Sequence, residues 1–73
     1  MKLAPVLSLA QLKSKALRDE NYKRLVVVSA NEMTGYSNDF SSFEKALPFI
    51  QQCVTEEGEE GVIEEINAYI PLV

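Results

Sequence analysis

Apolar residues in this chain return every three or four positions along three separate stretches, a spacing that gathers them on one side of an α-helix but scatters them over both faces of a strand. The stretches are Leu9, Leu12, Ala16 and Leu17; Phe40, Phe43, Leu47, Ile50 and Val54; and Val62, Ile63, Ile66, Tyr69 and Ile70. With 73 residues there is room for a single core, so these stripes commit most of the chain to helix packing in one domain, 1–73.

Helix-start signals precede the first two stripes. Ser8 is followed three residues later by Gln11, and Ser41 by Glu44, the spacing of a capping box in which two side chains satisfy otherwise free backbone donors. Leu7 and Leu12 stand where a hydrophobic staple would pin the incoming chain, and Lys15 and Arg18 lie near the negative end of the helix dipole. These signals predict helices at about 8–19 and 41–55. Within the second, Pro48 removes a donor and sets its ring against the carbonyl of Glu44, so a bend is expected there; the continuous apolar stripe argues against a break. Gly58 is a natural stop. A third helix is predicted at 60–70, closed by Pro71 and preceded or opened by Glu56, Glu57, Glu59 and Glu60, where negative charge is favourable.

Arg24-Leu25-Val26-Val27-Val28-Ser29-Ala30 breaks this pattern, being rich in β-branched residues that a helix restricts. It reads as a strand over 23–30, paired either with Lys2 to Leu7 through the first helix or with Met33 to Ser37 as a hairpin. Pro5 and Gly35 weaken both partners. The expected fold class is therefore α+β, helix-rich. The alternative is an all-α four-helix domain, with a helix from about Asn21 to Met33 and Gly35 as its left-handed cap.

Charge is lopsided. Six basic residues face Asp19 and Glu20 up to residue 24, whereas from residue 25 onward Lys45 alone faces nine acids, for a net charge of −4. A basic surface of Lys13, Lys15, Arg18, Lys23 and Arg24, with Tyr22 to stack, is the one route to nucleic acid, and the overall acidity opposes it. No run approaches the roughly 18 apolar residues of a membrane span. The opening ten residues resemble a very short signal peptide, but Pro5 and Ser8 break the apolar run. A single cysteine, Cys53, fits a reducing compartment, and a cytoplasmic location is expected.

Chemistry-bearing patterns are sparse. There is no histidine, which removes histidine bases and ligands. Cys53 has no cationic neighbour in sequence and reads as a buried structural thiol. Thr55 to Gly61 is too short and too poor in aspartate for a calcium loop, and the glycines are not spaced to cradle a phosphate. Asp39-Phe40-Ser41-Ser42-Phe43 lacks the Asp-Ser-Leu at which small acidic carrier domains accept a prosthetic group. No cofactor and no metal are expected.

These absences point to a small acidic, non-enzymatic protein-interaction module, a regulator or inhibitor of the kind phages and mobile elements often encode. Its partner would be another protein or a second copy of itself, with no role for nucleic acid, membrane or metal. Candidate contacts are Met33 and Tyr36, in the longest polar stretch, and Glu57 and Glu60, in the acidic one. Two alternatives are a nucleic-acid mimic presenting Glu56 to Glu65 to a cationic groove, and a carrier or accessory subunit of an enzyme.

Overall fold

The computed structural model describes residues 6–70. They form four helices: α1 (Leu9–Arg18), α2 (Glu20–Met33), α3 (Phe43–Glu57) and α4 (Glu59–Tyr69). Among the described residues there is no strand, which overturns the α+β expectation in favour of the all-helical alternative.

The correction falls on residues 23–30, which lie inside α2. Tyr22, Val26, Ser29, Ala30 and Met33 recur at helical spacing; all but the half-buried Met33 are buried. The helical period therefore decides over the β-branched run, because the preference of valine for a sheet is small against burial of a whole face. Of the two proposed strand partners, Lys2 to Pro5 lie outside the described residues, and 33–37 form the end of α2 and its turn.

Asp19 makes the first corner. Its N–H donates to the Lys15 carbonyl at 2.9 Å, closing α1, while its Oδ1 accepts from the N–H groups of Asn21 and Tyr22 at 3.0 and 3.2 Å, opening α2. One carboxylate thus satisfies two of the four free donors at a helix start. At the other end of α2, the Tyr36 N–H donates to the Asn31 carbonyl at 2.8 Å and the Gly35 N–H to the Glu32 carbonyl at 3.0 Å. This is a Schellman closure, with Gly35 in the left-handed region at φ 62°.

The capping boxes are realised unequally. Ser8 Oγ accepts from the Gln11 N–H at 3.1 Å, and Gln11 Oε1 accepts in return from the Leu7 N–H at 2.7 Å. For α3 the cap is Ser42, whose Oγ accepts from the Lys45 N–H at 3.3 Å, one residue beyond the expected Ser41. The helix then runs unbroken through Pro48 to Glu57. The expected staple does not form: Leu12 is fully buried, but Leu7 is 76 % exposed. Leu17, assigned to the α1 stripe, is 78 % exposed.

In the tertiary arrangement α2 packs against α1, α3 and α4, and α3 packs on α4. The core they share is built around Leu12, Val26, Ile50, Val62 and Ile66, with Ala16, Ala30 and Ala46 fully buried on α1, α2 and α3. Two long-range hydrogen bonds tie the start of the described chain to α4: the Asn67 amide donates to the Val6 carbonyl at 2.8 Å, and the Leu9 N–H donates to Glu59 Oε1 at 3.3 Å.

Candidate functional site

The acidic stretch becomes a corner where α3 ends and α4 begins, and the corner turns on one residue. Gly58 donates its N–H to the Val54 carbonyl at 2.9 Å and accepts at its own carbonyl from the Val62 N–H at 3.3 Å, so it closes one helix and opens the next. Its backbone sits at φ 97°, ψ 141°, a region that a residue with a Cβ reaches only under strain.

This geometry divides the glutamates electrostatically. Glu59 and Glu60 occupy the first turn of α4, where the exposed N–H groups favour negative charge. Glu56 and Glu57 precede that helix as the last residues of α3, beside carbonyls that carry partial negative charge, and no basic residue stands in that last turn. Glu56 accepts from the Gln52 amide at 3.2 Å and Glu59 accepts from Leu9. Among the described residues, Lys23 pairs with Glu20 at 3.3 Å, whereas Glu57 and Glu60 stand exposed and in no ion pair.

Of the four candidate contacts, Glu57 and Glu60 are therefore brought together around Gly58. Met33, the last residue of α2, and Tyr36, in the turn after it, lie elsewhere and are presented differently. Met33 is half-buried and packs against the core. Tyr36 is 55 % exposed and held at φ 62°, as a non-glycine residue in the left-handed region.

Beside the acidic corner runs an open groove of about 190 Å³ lined by Val6, Leu7, Glu60, Ile63, Glu64 and Asn67. Its floor is apolar, since Val6 and Ile63 are buried, and its rim carries Glu60 and Glu64. Sequence reasoning missed it because residues 6 and 7 are more than fifty positions away from α4; the exposed Leu7 was assigned to the staple instead. A second cleft, of about 310 Å³, lies between α2 and the start of α3 and mixes Lys23 and Arg24 with Glu20 and Glu44.

Other sequence candidates change character. Tyr22 is 2 % exposed and its ring lies under Lys15 Nζ at 4.8 Å, so it offers no face to a nucleobase. Burial pushes its phenol up to about 12. Cys53 is buried, and its thiol is raised first by that burial and then by the negative charge of Glu57, Glu56 and Glu65, which disfavours the reactive thiolate. Among the described residues, no three acidic or thiol side chains converge as a metal ion would require, and no helix is long and apolar enough to cross a membrane. No family model, curated protein or solved structure matches this chain.

Proposed function

We propose that this chain is a non-enzymatic protein-interaction module that engages its partner through the acidic corner around Gly58. One observation carries the reading: Glu56 and Glu57 sit at the negative end of α3, where their charge opposes the helix dipole. Local structure accounts for Glu59 and Glu60, and the Gln52 amide engages Glu56, but nothing local engages Glu57. A basic partner surface would relieve that unfavourable placement and use the unpaired Glu57 and Glu60 directly. The apolar groove beside Glu60 supplies the buried contact that charge alone does not.

The test is affinity capture with the tagged chain, washed at low and high salt, with Glu57→Lys/Glu60→Lys in parallel. Screening shortens from about 10 Å at 0.1 M salt to about 3 Å at 1 M, so a partner held by the corner is lost at high salt and from the charge-reversed chain. Capture that survives both treatments removes the corner from the interface. Tyr36→Ala supplies the second arm: loss of capture there, with the corner variant unaffected, would move the interface to the end of α2.

A further inference from the structure

On α1, the side turned away from the core carries its own pattern. Ala10, Ser14 and Leu17 are exposed along it at the spacing of a helix seam, and Leu7, one residue before the Ser8 cap, is exposed just beyond its start. Leu7 and Leu17 are large and apolar, 76 % and 78 % exposed, and Ala10 and Ser14 are small enough to let backbones approach. When two such helices run in opposite directions, Ala10 faces Ser14, and Leu17 is carried toward the exposed Leu7 and the groove beside it in the other copy.

The charges follow the same symmetry. Beside Leu17 lie Lys13 and Arg18; beside Leu7 lies the groove floored by Val6 and Ile63 and rimmed by Glu60 and Glu64, one helical turn apart on α4. The two ends of the seam are thus opposite in charge and alike in apolar character. They cannot meet within one chain. The Leu9 N–H is bonded to Glu59, which anchors the start of α1 beside the groove, and Leu17 stands about 12 Å further along the helix at 1.5 Å per residue.

We propose that α1 is a self-association surface, in which two copies pair their first helices antiparallel and each seats Leu17 in the groove of the other. Lys13 and Arg18 of each copy then face Glu60 and Glu64 of its partner. The contact is reciprocal, so it closes as a two-fold pair and does not propagate into a filament. This deepens the reading above and rests on it, naming a second copy as the occupant of the groove beside the acidic corner.

The experiment is sedimentation equilibrium of the whole chain over a range of concentrations at low and high salt, with helicity checked by circular dichroism. The expected result is a dimer whose dissociation constant rises about tenfold or more at high salt and in Leu17→Glu. Glu60→Lys/Glu64→Lys weakens it similarly, and adding Lys13→Glu/Arg18→Glu to that variant restores it. A folded chain that stays monomeric up to millimolar concentration overturns the proposal, as does a dimer indifferent to Leu17→Glu. Monomeric chain that binds a lysine-rich peptide through Glu60 and Glu64 overturns it too, while leaving the acidic corner as an interaction site. Conversely, a dimer that behaves as expected while the Glu57→Lys/Glu60→Lys chain still captures another protein sustains the α1 pairing and removes the corner as the site for that protein.

Discussion

The side-chain amide of Asn31 holds both backbone polar groups of Phe40: its Nδ2 donates to the Phe40 carbonyl at 3.0 Å, and its Oδ1 accepts from the Phe40 N–H at 2.5 Å. This pair closes the loop between α2 and α3 from inside, and it delivers the Phe40 ring to Phe49 at a centroid distance of 5.3 Å. Asn31 is only 6 % exposed, so its removal leaves polar groups stranded and not rehydrated. Asn31→Ala is expected to lower stability by about 1–3 kcal/mol in urea unfolding. Asn31→Asp, which sets a buried carboxylate oxygen against the Phe40 carbonyl, should lose at least as much, and equal stability of all three would mean that the amide does not organise the loop.

Asp19 both closes α1 and opens α2. Asp19→Ala should destabilise the fold by about 1–2 kcal/mol, and Asp19→Asn by less, because a neutral amide oxygen still accepts from Asn21 and Tyr22. Thermal melts of the two variants against the native chain check the order.

Two glycines at one corner should respond with opposite signs. Beyond the adjoining backbone neither has a heavy atom within 4 Å of where a Cβ would stand, but Gly58 has a positive φ and Gly61 is an ordinary helical residue. Gly58→Ala is expected to lose about 1–3 kcal/mol to backbone strain alone. Gly61→Ala is expected to gain about 0.5–1 kcal/mol from the reduced freedom of the unfolded chain. Chemical denaturation distinguishes them, and a loss at both positions would point to unseen crowding instead of torsion.

The hydroxyls of Tyr22 and Ser29 are buried without a hydrogen-bond partner. Ser29→Ala should therefore stabilise α2 by up to about 1 kcal/mol, since it removes an unsatisfied group and improves helix propensity.

Tyr22 also sets a pH dependence. Its phenol is raised from 10.0 to about 12 by burial, so the folded state binds this proton more tightly than the unfolded one. The stabilisation is complete below pH 10 and declines as pH rises from 10 through 12. The loss attributable to this group is on the order of 2 kcal/mol. Urea midpoints measured across that range should fall more steeply for the native chain than for Tyr22→Phe, and parallel slopes would assign the alkaline loss to other groups.

What the sequence determined by itself is local. Ser8, Lys15 and Arg18 marked α1 to within a residue at each end, and Gly58 marked the end of α3, because capping and dipole effects act within a turn of the backbone. Gly35 was legible as a left-handed cap only within the four-helix alternative. Glu57 and Glu60 were legible as acidic candidates on either side of Gly58, but not that α3 runs past residue 55 to place Glu56 and Glu57 in its last turn.

Tertiary structure decided the rest. Whether residues 23–30 formed strand or helix rested on which faces α1, α3 and α4 would cover, and burial of Tyr22, Val26 and Ala30 outweighed the β-branched run. The same packing turned Leu7 and Leu17 outward and brought Val6 against Asn67 across the length of the chain. Burial is a property of the assembled set of helices, and the strength of a hydrophobic contact depends on that burial, so no window of neighbouring residues contains the information.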